Sequence, residues 1–206
     1  LASPLPARPL SAPLRPRRDG LRPRRVSRSR PARDASIVAS SSSAAPAPVV
    51  VGVGSAGVDY LASVASFPEP DAKLRTDALE IQGGGNCGNA LTAVARLGCA
   101  PRILTKLSDD AAGRAIVAEF EADGVDTAAI VVEPGKSSPF TYIIVDREGA
   151  TRTCIHTPGP EFAPEEITPA EIDALLDDAS LCYFDGRLTE VALEVAAAAR
   201  AKNIPV

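Results

Sequence analysis

The segment Pro48-Val49-Val50-Val51-Gly52-Val53-Gly54, residues 48–54, is the part of the sequence that sets the fold. Its run of β-branched valines ends in glycines, a pattern typical of a strand buried on both faces in the middle of a parallel sheet. Beyond it, short apolar strand patterns alternate with helical patterns of about 10 to 15 residues. The sequence therefore predicts an α/β fold whose parallel core sheet begins at this segment.

Hydrophobic periodicity and capping residues predict the remaining core elements. The predicted strands lie at residues 102–107, 128–132, 181–184 and, begun but not finished, 204–206. The predicted helices lie at residues 86–97, from the cap at 108–110 to 124, 168–178 and 189–202. The third helix begins with the capping box Thr168-Pro169-Ala170-Glu171, whose Thr and Glu side chains satisfy backbone groups at the helix start.

Two segments, about 59–82 and 140–156, alternate polar and apolar residues and do not fit a core sheet that is covered on both faces. The first holds two predicted strands, 59–67 and 74–82, separated by the turn Phe67-Pro68-Glu69-Pro70. The second segment predicts a hairpin around Arg147-Glu148-Gly149. Together they predict a separate small sheet over one end of the core, a common way to exclude water from a reaction.

Residues 1–48 differ sharply from the rest of the chain in charge. They contain ten Arg, two Asp and no Lys or Glu, a formal charge of +8, which leaves −12 for the remainder of a chain of net charge −4. Scarce acids among Arg, Ser, Ala and Pro are typical of an organelle transit peptide, so we expect a plastid location, with mitochondrion or cytoplasm as alternatives. A disordered basic tail and a nucleic-acid-binding arm are the other interpretations. No aromatic residue precedes Tyr60, so the arm lacks side chains that stack on bases, and no nucleic-acid partner is expected.

Two further classes of function find no support in the sequence. The apolar runs are far shorter than the roughly 20 residues of a membrane span, so no membrane association is predicted. The four cysteines, Cys87, Cys99, Cys154 and Cys182, show no Cys-x-x-Cys spacing. Neither a zinc site nor a redox dithiol is therefore predicted, and no metal ligand is assigned in this chain.

The segment Gly52-Val53-Gly54-Ser55-Ala56-Gly57 matches the Gly-x-Gly-x-x-Gly fingerprint of dinucleotide-binding proteins. That fingerprint requires a helix that begins at the loop, because the pyrophosphate binds at the amino end of the helix. Only about nine residues separate Gly57 from the Phe-Pro break, and Val58 and Tyr60 favour a strand. We therefore interpret the segment as a turn that requires small residues.

A second glycine-rich segment, Gly83-Gly84-Gly85-Asn86-Cys87-Gly88-Asn89, opens the first predicted helix. Glycines let a ligand approach the main chain, the helix start offers unpaired N–H groups, and Asn86 and Asn89 share one helical face. Each amide both donates and accepts, as a sugar hydroxyl does. Asp59 adds a carboxylate just past the first strand, where open α/β sheets bind ligands. Each feature alone also fits a turn or a cap, but together they predict a site for a polyol.

In order and spacing these features resemble the pfkB family of carbohydrate kinases, which includes ribokinase, fructokinase, adenosine kinase and ketohexokinase. The resemblance runs from about residue 49 to residue 206. It implies a ribokinase-like three-layer α/β/α core with a small β-sheet lid, truncated before the carboxy-terminal half. It also implies sugar contacts at Asp59, Gly84, Gly85 and Asn89.

Three details are similar to ketohexokinases in particular. These are the Gly-Gly-Asn-x-x-Asn form of the glycine-rich segment, Thr151-Arg152-Thr153 in the hairpin, and Asp185-Gly186-Arg187 after a predicted strand. On this likeness Asn86 joins the sugar site. Arg152 and Arg187 become candidate contacts to sugar or phosphate.

The resemblance implies ATP- and magnesium-dependent phosphorylation of a hydroxyl of a ketose, ribose or related nucleoside. The family's catalytic base is the Asp of a Gly-Ala-Gly-Asp segment, which residues 1–206 do not contain, so we expect it beyond Val206. The chain is then an amino-terminal part that holds the sugar and is inactive by itself. A homodimer through the small sheet is a further expectation. The alternative is a catalytically silent scaffold or regulator of the same fold in an organelle.

Overall fold

The structure is a computed structural model that describes residues 46–206, so nearly all of the predicted leader, residues 1–48, lies outside the described residues. The helices of the described part are α1 (Asn86–Arg96), α2 (Ala111–Asp123), α3 (Pro169–Leu175) and α4 (Thr189–Ala201), with a 3₁₀ turn at Pro164–Glu166. None of these helices is both long and apolar enough to cross a lipid bilayer. The strands are β1 (Val49–Val53), β2 (Gly57–Val64), β3 (Ala78–Gly84), β4 (Ala100–Leu104), β5 (Lys106–Ser108), β6 (Val131–Glu133), β7 (Phe140–Asp146), β8 (Thr151–Thr157) and β9 (Ala179–Phe184).

The core sheet has the strand order β4-β1-β9, and all its strands are parallel. β1 is the central strand, as the valine run predicts, and Val51 pairs with Arg102 on one side and Cys182 on the other. Pro205, near the last residue, accepts a backbone hydrogen bond from Cys182 at 2.8 Å. The final residues therefore lie alongside β9, where the sequence predicts the start of a further strand.

Helices cover both faces of the core sheet. Alternate β1 side chains point to opposite sides, because successive side chains of a strand face opposite ways. Val51 and Val53 belong to an apolar cluster with residues of α3 and α4, such as Ile172 and Val195. Residue Val50 belongs to a second cluster, formed with residues of α1 and α2. The predicted three-layer α/β/α core is confirmed.

Gly52 allows α1 to lie unusually close to β1. A Cβ atom built on Gly52 would lie 2.7 Å from a methyl carbon of Leu91 and 2.8 Å from the sulfur of Cys87. Both of these α1 side chains are fully buried. Glycine at this position therefore fixes the amino end of α1 beside the carboxyl end of β1.

The strand predicted at 102–107 is in fact two strands, because the chain changes partner at Thr105. The Thr105 carbonyl accepts from Val131, and β5 then pairs with β6 instead of staying in the core sheet. Lys106 is buried at this point, and its ammonium group lies 2.7 Å from the carboxylate of Glu133 and 2.5 Å from that of Glu166. A buried ammonium group requires such partners, and both are remote in sequence.

The charge of Lys106 is held by its surroundings. Burial alone would lower the pKa of Lys106, but hydrogen bonds and charge pairing with Glu133 and Glu166 outweigh burial and raise the pKa above its ordinary value. The same contact, together with a hydrogen bond from the Ala163 N–H, lowers the pKa of Glu166. This ion cluster therefore joins β5, β6 and the 3₁₀ turn as a fixed structural unit.

Two predicted strands begin later than expected. β3 begins at Ala78 instead of residue 74, because Ala78 pairs with Ser63 near the end of β2 and earlier residues have no strand to pair with. β6 begins at Val131 instead of residue 128, because the Asp126 carboxylate accepts from the N–H of Ala128 and forms a turn there. Both differences arise from pairing or turn contacts, not from hydrophobic pattern.

The capping box of α3 is confirmed, but the helix ends early. The Thr168 hydroxyl accepts from the Glu171 N–H at 3.3 Å, and the Glu171 carboxylate accepts from the Thr168 N–H at 2.7 Å. The helix stops at Leu175 instead of Asp178. Asp178 has a φ of 55°, in the left-handed region, which no helix can continue through.

The two polar-alternating segments form one four-stranded sheet, called the small sheet below, of order β3-β2-β7-β8. β2 and β7 are parallel, and the other two pairs are antiparallel. Its two faces differ in chemistry. The face called polar carries the cross-strand row Gln82, Asp59, Thr141 and His156. The face called apolar carries the row Ile81, Tyr60, Tyr142 and Ile155.

Candidate functional site

The loop after β1 leads into a strand, so it does not match a dinucleotide site. β2 begins at Gly57, where the fingerprint would require the start of a helix. A Cβ atom on Gly57 would lie 2.9 Å from the carbonyl oxygen of Pro139. The glycine thus serves close packing between two chain segments. The predicted turn is confirmed in shorter form, because residues 52 and 53 still belong to β1 and only residues 54–56 connect the two strands.

Asp59 lies on the polar face of β2, half-buried, with its carboxylate directly over Gly84. A Cβ atom on Gly84 would lie 2.5 Å from the Asp59 carboxyl carbon. Any larger residue at 84 would displace that carboxylate. No hydrogen bond or ion pair from the described residues engages the Asp59 carboxylate, so it is available to a ligand.

Gly85 is required for two separate reasons. Its φ of 88° and ψ of 141° are values that residues with a side chain rarely adopt. A Cβ atom at this position would also lie 2.5 Å from the carbonyl oxygen of Ser55. Gly85 therefore permits the sharp change from β3 to α1 and brings the start of α1 against the loop after β1.

The expectation of unpaired N–H groups at the start of α1 is wrong. Protein groups accept from every N–H of the first turn, because two remote side chains reach the helix end and act as caps. The pairs are Asn86 N–H to Ser55 Oγ (3.1 Å), Cys87 N–H to Asp185 Oδ2 (3.2 Å), Gly88 N–H to Ser55 O (3.1 Å) and Asn89 N–H to Gly85 O (3.0 Å). Recognition of a ligand at this helix end must therefore rely on side chains.

The two asparagine side chains are free for that role. Asn86 and Asn89 are both exposed, and the described residues give neither amide a hydrogen bond. Asn89 and Gly84 help to line a cavity of about 200 Å³ between β3, α1 and α2, while Asp59 and Asn86 do not line it. Gly84 thus touches Asp59 on one side and borders the Asn89 cavity on the other.

The rest of this cavity is mixed in character. Its floor is formed by Ile116 and Phe120, and Arg96 and Glu119 lie on its wall. The Glu119 carboxylate accepts from the N–H of Gly83 at 3.2 Å. This contact ties the end of β3 to α2 and so fixes the position of the glycine-rich segment.

Asp185, at the end of β9, joins the segments that carry the site, although the sequence pattern predicts no role for it. Its Oδ2 accepts from the Ser55 N–H at 2.8 Å, the Ser55 hydroxyl at 2.6 Å and the Cys87 N–H at 3.2 Å. Its Oδ1 accepts from the Arg187 N–H at 2.9 Å. We call this meeting of β1, α1 and β9, built from Ser55, Cys87 and Asp185, the junction. The available sequence signal was an Asp directly after a buried strand, at the end of the sheet where ligands bind.

The surroundings of the cysteine at the junction disfavour its reactive thiolate form. Burial, and secondly the negative charge of Asp185, raise the pKa of the Cys87 thiol far above its usual range. Burial likewise raises the pKa of Cys182. Both thiols are therefore neutral, and they act as small apolar groups in the core.

The two predicted arginines lie in different places. Arg187 is exposed and sits next to the junction, since its N–H bonds to Asp185. Arg152 is exposed on the polar face of β8, two strands across and four positions along from Asp59. That register separates the two backbones by roughly 16 Å. The structure brings Arg187, but not Arg152, close to the residues around Ser55.

Metal-binding side chains are not clustered in this part of the chain. Within residues 46–206, no group of three or more His, Cys, Asp or Glu side chains could hold a metal ion. The candidate site is thus formed by glycines, amides and one free carboxylate. Such a set binds hydroxyl groups through hydrogen bonds.

Comparison with known families and proteins agrees with this chemistry. A family model described as pfkB family carbohydrate kinase matches residues 48–205. A bifunctional ribokinase/ribose-5-phosphate isomerase A from Fructilactobacillus sanfranciscensis is 29% identical over 126 residues, 61% of this chain and 23% of that protein. Ketohexokinase from Mus musculus is 28% identical over 103 residues, 50% of this chain and 35% of that protein.

Solved structures show the same fold. The structure of Arabidopsis thaliana ribokinase complexed with ribose and ATP matches with a TM-score of 0.65 and 18% identity. The match covers 78% of this chain and 52% of that one. The chain therefore spans about half the length of this ribokinase and still less of the two curated relatives.

Proposed function

The chain belongs to the pfkB family of carbohydrate kinases, and we propose that the full-length protein uses ATP to phosphorylate a hydroxyl of a ketose, ribose or related nucleoside. One observation carries the proposal. The side chains of Asp59, Asn86 and Asn89, near the carboxyl end of β1, have no hydrogen-bonding partner among the described residues. Ligands of open α/β sheets bind at this end of the strands.

These residues have complementary roles in holding a sugar. The Asp59 carboxylate accepts from hydroxyl groups, and the amides of Asn86 and Asn89 both donate and accept. The absence of side chains at Gly84 and Gly85 leaves room for the Asp59 carboxylate and for the loop at Ser55, and so keeps Asp59 beside the segment that carries Asn86 and Asn89. Several such bonds orient the reacting hydroxyl, and phosphoryl transfer depends largely on positioning and electrostatic stabilisation.

The nucleotide, the magnesium ion and the catalytic Asp are proposed to bind or lie in the part of the full-length protein that its relatives have and this chain lacks. The described residues hold no cluster for a metal ion, and residues 1–206 contain no Gly-Ala-Gly-Asp segment. We accordingly expect residues 1–206 alone to transfer no phosphate.

Phosphorylation by the full-length protein tests the proposal. We would supply ATP and magnesium with fructose, ribose, deoxyribose or adenosine and measure ADP release. Asp59→Asn should lower kcat/KM for the best substrate about 10- to 100-fold, because a hydrogen bond to a charged group contributes about 1.5–3 kcal/mol. Asp178→Asn, the same change at an exposed site remote from Asp59, is the matched control. A full-length protein that neither binds nor phosphorylates any of these compounds would contradict the proposal.

We also propose a homodimer that buries the apolar face of the small sheet. Ile81, Tyr142 and Ile155 in its central row are 63%, 52% and 54% exposed, and Leu79 beside them is 60% exposed. A contiguous apolar patch of this kind is typical of a protein–protein interface. Ile81→Lys should convert the dimer to a monomer in sedimentation analysis, whereas Glu80→Lys, on the polar face, should not. A wild-type monomer at high concentration would contradict this proposal.

Residues 1–48 are proposed to direct the protein to plastids. Their charge and composition support the proposal. A fluorescent fusion of residues 1–48 should enter plastids in plant cells, and a fusion that begins at residue 49 should not. Import into mitochondria, or retention in the cytoplasm, would contradict it.

A further inference from the structure

We propose that Thr141 and His156 form a specificity-determining extension of the sugar site, and that His156 reads a sugar hydroxyl next to the part of the sugar that Asp59 holds. The inference rests on the proposed sugar-kinase function and adds two residues to it. Neither residue carries a signal in the sequence pattern, because one is an ordinary strand threonine and the other is an isolated histidine.

Strand register places these residues beside Asp59. On the polar face, Asp59 of β2 pairs with Thr141 of β7, and Thr141 pairs with His156 of β8. Neighbouring strands lie about 4.8 Å apart, so the row from Asp59 to His156 spans roughly 10 Å. A hexose or pentose ring with its hydroxyl groups has a comparable width and can contact both ends of the row.

The histidine ring is held in a defined position. The Thr141 hydroxyl forms a hydrogen bond with Nδ1 of His156, at an Oγ1 to Nδ1 distance of 3.2 Å. This bond leaves Nε2 as the ring nitrogen that can contact a ligand. In either neutral tautomer Nε2 can bond to a sugar hydroxyl, because a hydroxyl both donates and accepts.

The next row of the polar face limits where a polyol can bind. That row runs from the exposed Glu80 on β3 through Leu61 and Ile143 to Cys154, so three of its four side chains are apolar. Apolar groups at these places give no hydrogen bonds to hydroxyls. Of these two rows, the row of Gln82, Asp59, Thr141 and His156 is therefore the one in which every side chain can bond to a hydroxyl, and His156 is its last residue.

Three substitutions at position 156 test the inference in the full-length protein. His156→Ala should raise the KM for the best sugar about five- to tenfold, the effect of losing one neutral hydrogen bond, with little change in kcat or in the KM for ATP. His156→Gln places an amide near the position of Nε2 and should recover most of the affinity. His156→Asn places its amide near Nδ1, keeps the contact to Thr141, and should be as weak as His156→Ala.

Two further variants separate ring positioning from folding. Thr141→Val removes the hydroxyl at nearly constant volume and should raise the sugar KM about two- to fivefold, because the ring loses the hydrogen bond that orients it but keeps its own contact to the sugar. Thr153→Ala changes β8 on the opposite face and should leave the sugar KM unchanged. Calorimetric sugar binding is measured in parallel with activity.

The results with these variants either support or contradict a role of His156 in sugar binding. If the wild type is active and His156→Ala binds sugar normally, the role of Nε2 is overturned and the kinase function remains. The same holds if His156→Asn, but not His156→Gln, binds sugar better than His156→Ala. A wild type that neither binds nor phosphorylates any sugar overturns the proposed function, and this inference with it. Loss of sugar affinity in His156→Ala and His156→Asn, together with its recovery in His156→Gln, supports the role of Nε2.

Discussion

Two neighbouring regions of the molecule use a carboxylate in opposite ways. At the junction, Asp185 accepts four hydrogen bonds and joins the ends of β1, α1 and β9. On the polar face of the small sheet, Asp59 accepts none from the described residues. Hydrogen bonding within the protein thus distinguishes a carboxylate that holds the site together from one that is free to contact a substrate.

The largest effect is expected from breaking the junction. Asp185→Ala leaves three backbone N–H groups, those of Ser55, Cys87 and Arg187, and the Ser55 hydroxyl without their acceptor. We therefore expect the free energy of unfolding to fall by about 3 kcal/mol. Sugar turnover by the full-length protein should also fall at least tenfold, because α1 loses its fixed position. Urea unfolding and steady-state kinetics measure the two effects, and Asp59→Asn, with unfolding free energy changed by less than about 0.5 kcal/mol, is the contrasting variant. Equal destabilisation by Asp185→Ala and Asp59→Asn would contradict the different roles assigned to the two carboxylates.

A substitution at Gly84 tests whether the position of the Asp59 carboxylate matters for sugar binding. Gly84→Ala places a methyl group where the Asp59 carboxylate lies, so we expect the sugar KM to rise about tenfold, the loss of roughly one charged hydrogen bond. Because both residues act on the same carboxylate, the effects of Gly84→Ala and Asp59→Asn should not add in the double variant. The sugar KM values of the wild type, the two single variants and the double variant are compared. Additive effects would show that Gly84 does not act through the Asp59 carboxylate.

The smallest effect concerns a bonded carboxylate away from the site. Asp110 caps α2, and although burial acts to raise its pKa, hydrogen bonds from the Ser138 hydroxyl and from the N–H groups of Gly113 and Ser138 lower it below the ordinary 3.8. The folded pKa is thus below the unfolded pKa, so this stabilisation is present above pH 3.8 and is lost as the pH falls through the lower folded value.

Replacing the Asp110 carboxylate should weaken the dependence of stability on pH in the acid range. Asp110→Asn should unfold at a lower temperature than the wild type at pH 7, and the difference should shrink as the pH falls below about 4. Thermal unfolding followed by circular dichroism between pH 3 and pH 7 measures it. Asp178→Asn, an exposed control, should follow the wild-type curve, and a constant difference for Asp110→Asn at every pH would contradict the assignment.

The local pattern of the sequence predicted the parts that depend on neighbouring residues. The valine run gave the central strand, the glycine and asparagine segment gave the start of α1, and period-two alternation gave the small sheet. Asp59 was recognised because it follows a buried strand. These features need only the chain within a few residues on either side.

The parts that were missed depend on residues far apart in the sequence. Asp185 reaches Ser55 across 130 positions, and the two residues together accept from the first three N–H groups of α1. The break between β4 and β5 depends on Lys106 meeting Glu133 and Glu166. No local periodicity encodes such contacts, because they exist only once the strands have been ordered side by side.

Two glycine and aspartate pairs also constrain how this protein can change over evolutionary time. A side chain at Gly54 would occupy the space of the Asp185 carboxylate, as one at Gly84 would occupy that of Asp59. In each pair, replacing the glycine displaces the carboxylate and replacing the aspartate removes it, so neither order of substitution keeps the function of the carboxylate throughout. Descendants that retain sugar binding are therefore expected to keep Gly54 together with Asp185, and Gly84 together with Asp59.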